Sequence, residues 1–325
     1  MPVISAPHQF VRSDVYVDLR QVLGRGLYLK VEGLNLTGSV KLKTAASMVA
    51  AAEADGRLGP DSVLVESSSG NLGLALGAIA AASGHRFVCV TDIRCNPATV
   101  KLLRAMGTEV VVLSTPDRNG GFLAGRIAHV RQLCASDDRY LWLNQYENEA
   151  NWMAHRDLTA AEVAAQFPGL DVLFAGAGTG GTLTGCVKFF QDKAPEVRVV
   201  AVDAVGSVSF GGQPGPRLIP GLGTSTRPPL LDPELPADVV HVSEQDTVRY
   251  CRMLAAKGFL FGGSTGTVVA GAMDWLSRHD PDGRLTAVVI SPDLAERYVD
   301  TVYDDNWVSE HFGPELATVP GRVLS

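Results

Sequence analysis

The sequence predicts an α/β fold with two domains, each a mostly parallel sheet covered by helices. Near-continuous apolar runs alternate with Ala-rich helical runs, which is typical of parallel strands buried beneath helices on both faces. The length of 325 residues leaves room for about two domains. Hydrophobic residues make up 46% of the chain and charged residues 19%, which permits a large core and excludes global disorder.

The first series of strands and helices ends near residue 147. Strands are predicted over residues 61–66, 86–91 and 109–113, and helices over 71–82, 97–106 and 121–134. Asn96 and Pro97 predict the start of the second helix, because Asn caps a helix and Pro suits its first turn.

A second series follows a polar helical stretch at 148–167. Its strands are predicted over 171–175, 197–203 and 285–291, and its helices over 181–192, 244–257 and 265–278. The Gly- and Pro-rich stretch 206–238 is predicted to be irregular, and a short helix to follow the last strand. The two series predict two domains.

Charge and composition exclude several classes of protein. The net charge is −7 and no basic stripe occurs, so we expect no nucleic-acid partner. No apolar run is long enough to span a membrane, and the N-terminus does not resemble a signal peptide. The five cysteines include no CxxC and the seven histidines have no metal-ligand spacing. We therefore expect a cytoplasmic protein with reduced thiols and no metal site.

Three glycine-rich turns lie where a predicted strand passes into a helix. They span residues 66–73, 176–185 and 262–266. Such turns expose backbone N–H groups at a helix N-terminus, which suits an anion. One such turn alone is weak evidence for a ligand, because glycine also allows close packing of strand and helix.

The second turn also fits a dinucleotide-binding pattern. Gly176, Gly178 and Gly181 satisfy G-x-G-x-x-G, and Asp203 ends the next strand, where a ribose-binding acid would stand. A nicotinamide-dependent oxidoreductase is therefore an alternative. Against it, this unit follows a complete series of strands and helices and explains neither the other two turns nor Lys41.

Lys41 is the candidate for covalent chemistry. A Gly-Ser turn precedes it and an Ala-rich helix follows it. An amine at a helix start, partly buried, would have a lowered pKa and could form a Schiff base. An exposed lysine is the structural alternative, and Lys43 is the second candidate amine.

Four motifs in this order resemble the pyridoxal-phosphate enzymes of the cysteine-synthase superfamily, which have fold type II, the fold of the tryptophan synthase β chain. The resemblance spans nearly the whole chain, and four motifs in register are far more specific than one glycine loop. The motifs are Asn35-Leu-Thr-Gly-Ser-Val-Lys41, Ser68-Ser-Gly-Asn71, Gly178-Thr-Gly-Gly-Thr182 and Gly263-Ser-Thr-Gly266.

The resemblance implies how the chain holds pyridoxal phosphate. Lys41 would form the Schiff base, Asn71 would hydrogen-bond the ring hydroxyl, and Ser264 would meet the pyridine nitrogen. Because Ser264 offers a hydroxyl rather than a carboxylate, we expect that nitrogen to be largely unprotonated, which favours β-elimination over transamination. The phosphate would lie on backbone N–H groups and hydroxyls of Gly178, Thr179, Gly180, Gly181 and Thr182.

The resemblance also implies that the two domains have different roles. A large cofactor-binding domain would comprise residues 1–36 and 148–325. A small mobile domain, residues 37–147, would contact the substrate α-carboxylate. Ser68, Ser69 and the backbone around Asn71 would bind that carboxylate, with help from Gln145. We expect a homodimer.

Within the superfamily, the chain is most similar to enzymes that start 2,3-diaminopropionate formation for siderophores and peptide antibiotics. The similar segments are 66–73, 144–152, 201–210 and 297–307. Ordinary cysteine synthases carry a second Thr where Leu72 stands. The likeness implies β-replacement, in which the amine of L-glutamate displaces the leaving group of an O-activated L-serine such as O-phospho-L-serine. The expected product is N-(2-amino-2-carboxyethyl)-L-glutamate.

Two residues would serve this reaction directly. Lys41 would act as the general base at Cα. Arg227 is our candidate to bind the phosphate or a glutamate carboxylate through its planar guanidinium, and a solvated loop arginine is the alternative.

Other functions stay open at this point. One is a cysteine synthase that uses sulfide, and another is a non-enzymatic partner with a relic cofactor site. The chain also departs from the family pattern in two places: residues 13–19 stand where Asn-Thr-Pro-Leu is usual, and Lys41-Leu-Lys43 stands for Lys-Asp-Arg.

Overall fold

The computed structural model describes residues 3–117 and 121–317. Contacts between residues divide them into two units. Unit 1 comprises the described residues up to Arg12 and those of Leu34–Ala154, and unit 2 comprises Ser13–Gly33 and the described residues from His155 onward. Each unit is built on a sheet of its own.

The strands and helices are numbered in chain order. The strands are β1 Tyr16–Asp18, β2 Tyr28–Val31, β3 Val63–Ser67, β4 Arg86–Asp92, β5 Glu109–Leu113, β6 Tyr140–Trp142, β7 Val172–Gly176, β8 Arg198–Ala204, β9 Asp238–Val242 and β10 Ala287–Ser291. The α-helices are α1 Arg20–Leu23, α2 Lys41–Ala54, α3 Asn71–Ser83, α4 Pro97–Ala105, α5 Leu123–Ser136, α6 Glu149–Ala154, α7 Ala161–Gln166, α8 Gly181–Lys193, α9 Glu244–Ala255, α10 Gly263–His279, α11 Asp305–Phe312 and α12 Pro314–Ala317. A π-helix covers His155–Ala160, and 3-10 helices cover Pro7–Gln9 and Ala295–Tyr298.

Unit 1 contains a parallel four-stranded sheet in the order β5-β4-β3-β6. The side chains of α2 and α3 form an apolar core with this sheet, with Leu42, Met48, Leu64, Leu76 and Phe87 among its buried members. Burial of each such side chain contributes about 1.5–3 kcal/mol. This core fixes the starts of α2 and α3, where the first two motifs lie.

Unit 2 contains a six-stranded sheet in the order β1-β2-β10-β7-β8-β9. All neighbours are parallel except β1, which pairs antiparallel with β2. Because β10 and β7 are parallel neighbours, the segments that follow them leave the same edge of the sheet. One of these segments is the glycine loop after Gly176, and the other contains Asp293.

The predicted α/β class with parallel sheets is confirmed. The predicted strands and helices of both series are present with ends shifted by a few residues, and residues 205–237 contain no helix or strand. The helical stretch predicted over 148–167 is divided into α6, a π-helix and α7. Four strands, β1, β2, β6 and β9, were not predicted from the sequence, because three of them are only three or four residues long and β9 lies at the end of the irregular stretch.

The boundaries between the units differ in detail from the predicted domain limits. Contacts place them at Gly33/Leu34 and Ala154/His155, where the sequence analysis expected 36/37 and 147/148. The described residues up to Arg12 also group with unit 1, since Val11 forms a bridge with Asn35 and the backbone N–H of Arg12 donates to Leu34 O.

Two classes of feature are absent from the described residues. None of the helices within 3–117 and 121–317 is long and apolar enough to cross a membrane. The same ranges contain no cluster of His, Cys, Asp and Glu side chains that could hold a metal ion.

Candidate active site

Lys41 is the first residue of α2, at the end of a turn organised by Asn35. Asn35 Oδ1 accepts from the backbone N–H of Thr37 at 3.0 Å and from its hydroxyl at 2.9 Å, while Asn35 Nδ2 donates to Ser39 O at 2.8 Å. The half-buried Lys41 follows directly, and its backbone N–H lies 3.4 Å from Ser39 Oγ. Asn35 thus fixes the backbone from which the Lys41 side chain starts. Lys43 is more deeply buried than Lys41.

The loop from β3 to α3 carries the predicted carboxylate-binding serines. Ser68 is buried, and its Oγ accepts from the backbone N–H groups of Gly70 at 3.2 Å and Gly73 at 2.9 Å. Ser68 therefore stabilises the first turn of α3 through its oxygen. Ser69 is half-buried beside it, and Asn71 is the first residue of the helix.

Gln145 lies behind this loop. Its side-chain Nε2 donates to Ser67 O at 2.8 Å, and its backbone carbonyl accepts from Asn151 Nδ2 at 2.7 Å. The buried amide of Gln145 is thus engaged with the backbone that precedes Ser68. In this structure Gln145 supports the loop.

The second glycine loop, in unit 2, passes from β7 into α8. Gly180 is the N-cap of α8 and has a φ of 90°, a conformation that favours glycine, and it offers no side-chain cap to the helix. A Cβ on Gly178 would lie 3.1 Å from Gly221 O, so the backbone of residue 221 approaches the loop closely. Thr182 Oγ1 lies 3.3 Å from Nε2 of His155. The loop therefore presents backbone N–H groups and the Thr182 hydroxyl at the N-terminus of a 13-residue helix.

Ser264 lies in the first turn of α10, also in unit 2. Its Oγ is 2.5 Å from Oδ1 of Asp293, and the Tyr298 hydroxyl is 2.9 Å from Oδ2 of the same carboxyl group. A Cβ on Gly221 would lie 3.1 Å from Ser264 Cβ. The glycine loop and Ser264 therefore both lie against Gly221.

A sequence model of the family described as pyridoxal-phosphate dependent enzymes matches residues 16–293. The chain belongs to this family. The resemblance inferred from the four motifs is confirmed, and with it the cofactor, pyridoxal phosphate, and the prediction that the chain is an enzyme.

Relatives named for an activity and solved structures match most of the chain. An N-(2-amino-2-carboxyethyl)-L-glutamate synthase of Ralstonia nicotianae is 40% identical over 87% of this chain and 84% of that protein. An enzyme of the same name from Cupriavidus metallidurans is 39% identical over 94% of this chain and 92% of that protein. The crystal structure of O-ureido-L-serine synthase superposes with a TM-score of 0.84, at 34% identity, over 95% of this chain and all of that one.

The unit 2 residues fit pyridoxal phosphate. The start of α8 combines glycines, backbone N–H groups and a hydroxyl, which is the chemistry that a phosphate dianion requires. The positive end of the helix dipole also favours that anion. By contrast, the family match gives no support to the dinucleotide alternative that Asp203 suggested, because the matched family uses pyridoxal phosphate.

Two residues of this unit were missed by the sequence analysis. His155 is fully buried at the start of the π-helix, where its ring nitrogens contact Thr182 and, at 3.1 Å, Thr159. Asp293 lies 29 positions from its partner Ser264. Neither residue belongs to a recognisable motif, so only the fold shows these contacts.

Arg227 lies on the exposed surface of the irregular stretch. Its Nε donates to Ser209 O at 3.0 Å, which uses one of the five N–H groups of the guanidinium. The side chain is therefore anchored at one point and exposed to solvent.

Leu72 stands where ordinary cysteine synthases carry a second Thr. Its side chain is buried in the apolar core of unit 1.

Glu66 is a buried carboxyl group beneath the serine loop of unit 1. It accepts from Trp142 Nε1 at 3.0 Å and from the backbone N–H groups of Ser67 at 2.8 Å and Gln145 at 3.1 Å. These donors favour the ionised form, but the desolvation caused by burial outweighs them and raises the pKa of Glu66 to about 7. Glu66 therefore titrates near neutral pH.

We expect this raised pKa to make folding stability depend on pH. A carboxyl group whose folded pKa lies above its unfolded value stabilises the fold fully below the unfolded pKa, and this contribution is lost as the pH rises through the folded pKa. Between the ordinary value of 4.5 and about 7, the wild type should lose about 3 kcal/mol relative to Glu66→Gln. Urea unfolding of both proteins at pH 4, 5, 6, 7 and 8 measures this difference.

Other titrating groups contribute equally to the free energies of unfolding of the wild type and Glu66→Gln. The difference between these two free energies therefore reports on Glu66 alone. Glu147→Gln is the matched control, because it removes an exposed carboxyl group from the same unit. Parallel stability curves for the wild type and Glu66→Gln would contradict the assignment.

Proposed function

We propose that the enzyme joins the amine of L-glutamate to Cβ of an O-activated L-serine, with O-phospho-L-serine as the donor. The product is N-(2-amino-2-carboxyethyl)-L-glutamate, a precursor of 2,3-diaminopropionate in siderophore or peptide antibiotic biosynthesis. The observation that carries this proposal is the identity of 40% and 39% to two enzymes named for this product. The likeness to O-ureido-L-serine synthase, whose name also describes an O-substituted serine, supports it.

The reaction exchanges one bond at Cβ for another. The Cβ–O bond breaks and phosphate leaves with the bonding electrons, while the N–Cβ bond forms and the glutamate amine loses a proton. Pyridoxal phosphate, when bound, withdraws electrons from Cα and so makes the Cα proton removable.

Each group of residues has a proposed part in this reaction. Lys41 binds the cofactor through Nζ, and the same amine removes the Cα proton and later returns it. Asn71 binds the ring hydroxyl, and Ser264 lies at the ring nitrogen. The phosphate of the cofactor is held by Gly178, Thr179, Gly180, Gly181 and Thr182.

The substrate carboxylate is proposed to bind at the start of α3. Ser68 still has its hydroxyl proton to donate, because the contacts with Gly70 and Gly73 use only its oxygen as an acceptor. Ser69 and the backbone N–H groups near Asn71 complete the site, and Gln145 orients the loop from behind. Unit 1 is accordingly the proposed small, mobile domain that contacts the substrate carboxylate.

We also propose a homodimer located in the cytoplasm. All five cysteines are free thiols, and thiols persist in a reducing compartment. The homodimer rests on the family resemblance, and light scattering of the purified protein would test it directly.

We expect Arg227→Ala to weaken the binding of one substrate, the one whose phosphate or carboxylate group Arg227 binds. Loss of a charge-assisted hydrogen bond at this exposed position should raise KM for O-phospho-L-serine or for L-glutamate by about tenfold. Steady-state kinetics with each substrate varied in turn identifies which one depends on Arg227. The cofactor should bind as in the wild type.

Two further variants control this experiment. Arg284→Ala removes another exposed arginine of the same unit and should leave both KM values unchanged. Arg227→Lys keeps the charge but loses the planar group, and it should restore only part of the loss. Unchanged KM values in Arg227→Ala would remove Arg227 from the substrate site.

The function itself is tested by a product assay. The purified holoenzyme is incubated with O-phospho-L-serine and L-glutamate, and separately with O-phospho-L-serine and sulfide, and the products are detected by mass. The proposal predicts the glutamate adduct in the first mixture. Efficient cysteine formation without any glutamate adduct would favour a cysteine synthase instead.

A further inference from the structure

Glu66 is a fully buried carboxyl group at the base of the serine loop, residues 67–70. We propose that Glu66 is a positioning residue: its ionised carboxylate holds the serine loop in the conformation that binds the substrate α-carboxylate, and protonation of Glu66 releases the loop. This inference rests on the proposed binding of that carboxylate at the start of α3. It does not depend on the leaving group or on the nucleophile that the enzyme uses.

Three hydrogen bonds connect Glu66, Ser67 and Gln145 in a closed ring. The backbone N–H of Ser67 donates to Glu66 Oε1 at 2.8 Å, and the backbone N–H of Gln145 donates to Oε2 at 3.1 Å. The side-chain Nε2 of Gln145 in turn donates to Ser67 O at 2.8 Å. Both peptide groups of Ser67 are therefore fixed, and the second of them leads directly into Ser68.

The orientation of Ser68 depends on this ring. The backbone N–H of Ser68 donates to Val90 O at 3.0 Å, and its Oγ accepts from the N–H groups of Gly70 and Gly73. A rotation of the peptide group between Ser67 and Ser68 would shift the Ser68 hydroxyl and the first N–H groups of α3 together. These groups are the proposed ligands of the substrate carboxylate, so loss of the ring weakens substrate binding.

The ring requires the ionised form of Glu66. The hydrogen-bond partners of its carboxyl group are two backbone N–H groups and Trp142 Nε1, which lies 3.0 Å from Oε1, and all three can only donate. A proton on either oxygen occupies a lone pair and finds no acceptor among these partners. Protonation therefore weakens the ring, and the bond from Gln145 is the longest of the three.

Glu66 changes its charge near neutral pH. Desolvation by burial outweighs the hydrogen bonds and raises the pKa of Glu66 to about 7. The carboxyl group is ionised above this pH, where the ring is intact, and neutral below it. We therefore expect the affinity for the serine substrate to fall as the pH drops through about 7.

The thiols and the phenol around Glu66 do not titrate in this range. On β4, burial raises the pKa of Cys89, the register partner of Glu66, to about 12. Burial also raises the pKa values of Cys134 on α5 and of Tyr146 above their ordinary values. The sequence of α3 contains no Asp, Glu, His, Cys, Lys, Arg or Tyr.

Helix α5 also carries charged and titratable groups on the side of β3 and β4. Arg126 forms a buried ion pair with Asp92 of β4, with Nη1 3.4 Å from Oδ2. His129 follows three positions later on α5, and histidine commonly titrates near neutral pH. His129→Gln is therefore needed as a control variant.

The indole N–H of Trp142 reports the charge of Glu66 directly, because it donates to Glu66 Oε1. The ¹⁵N-labelled holoenzyme is followed by nuclear magnetic resonance from pH 5.5 to 8.5, with and without saturating L-serine, and Trp142→Phe assigns the resonance. L-serine carries the α-carboxylate without a phosphate or an activated leaving group. The midpoint should lie near pH 7 without L-serine and about one pH unit lower with it, since the ionised form should bind L-serine about tenfold more tightly.

The dissociation constant of L-serine, measured by the absorbance of the bound cofactor, tests the same coupling from the other side. Glu66→Gln stays neutral and should bind L-serine as weakly as the acid form at every pH. The ratio of its Kd to that of the wild type should be about ten at pH 8.5 and about one at pH 5.5. Titration of L-serine itself cancels in this ratio. Glu147→Gln and His129→Gln should behave as the wild type.

Several results would overturn the inference. One is an equal midpoint of the Trp142 resonance with and without L-serine, which is decisive even if no variant folds. Another is a Kd ratio that stays constant across the pH range, because Glu66→Gln would then act through packing alone. Loss of the pH dependence in His129→Gln would assign the titration to that histidine instead. Absence of the glutamate adduct, with the predicted midpoints and ratios, would contradict only the proposed function.

Discussion

Lys41→Ala should abolish the covalent bond to pyridoxal phosphate and lower kcat on the order of 10³-fold or more, because the proposed function assigns to this one amine both the bond to the cofactor and the transfer of the Cα proton. The backbone before Lys41 is fixed by Asn35, so the variant should fold normally. Borohydride reduction of the wild-type holoenzyme followed by peptide mapping should place the label on residue 41. Reduced Lys41→Ala should carry no label.

Lys43→Met is the matched control for this experiment. It removes the second candidate amine while keeping an unbranched apolar stem at a buried position. It should retain the label on Lys41 and most of the activity. A label found on Lys43 would show that the assignment of the amine is wrong.

Gly180→Ala should weaken the binding of pyridoxal phosphate on the order of tenfold to a hundredfold. The φ of 90° at Gly180 is unfavourable for alanine, and the new Cβ would lie 3.1 Å from Leu231 Cβ and 3.3 Å from its backbone. Relief of this strain must shift the first N–H groups of α8, which are the proposed phosphate ligands. A loss of about 1.4–2.8 kcal/mol in binding free energy raises the Kd for pyridoxal phosphate by about tenfold to a hundredfold.

Titration of the apo-protein with pyridoxal phosphate, followed by absorbance, measures the Kd. Gly169→Ala is the matched control, since a Cβ at Gly169 would meet no atom within 4 Å. Thermal unfolding of the apo-proteins shows whether the fold survives. A wild-type Kd in a folded Gly180→Ala would remove the loop from the phosphate site.

The alternation of strands and helices could be predicted from the sequence because it depends on local signals. Apolar runs mark the buried strands, and Asn96 does cap α4 by accepting from the N–H of Ala98 at 2.8 Å. The starts of α2, α3, α8 and α10 coincide with the four motifs for the same reason. Glycine and serine at these positions fit the local backbone geometry of a helix start, and this makes the positions recognisable in the sequence.

The features that escaped prediction depend on contacts between distant residues. The helical stretch 148–167 has the composition of one helix, and nothing in it indicates that the register changes to a π-helix at His155, which frequently happens at functional sites. The contact of Asp293 with Ser264 exists because α10 begins beside the end of β10. The residue type at position 264 alone therefore could not reveal this hydrogen bond to Asp293.

The positions of the supporting residues also required the structure. The motifs predict that Ser68 and Gln145 bind the substrate carboxylate, but they do not show how the two side chains are held. In the structure the oxygen of Ser68 stabilises the start of α3, and Gln145 holds the carbonyl of Ser67. Motifs indicate which residues occur at a site, but hydrogen-bond partners decide which of their atoms can face a ligand.

A competition between the two nucleophiles tests the central claim most directly. The holoenzyme receives O-phospho-L-serine together with ¹⁵N-labelled L-glutamate and sulfide at equal concentrations, and both products are measured by mass over time. The proposed function predicts that ¹⁵N-labelled N-(2-amino-2-carboxyethyl)-L-glutamate is the main product. A mixture that yields cysteine, with the glutamate label remaining entirely in free glutamate, would contradict it.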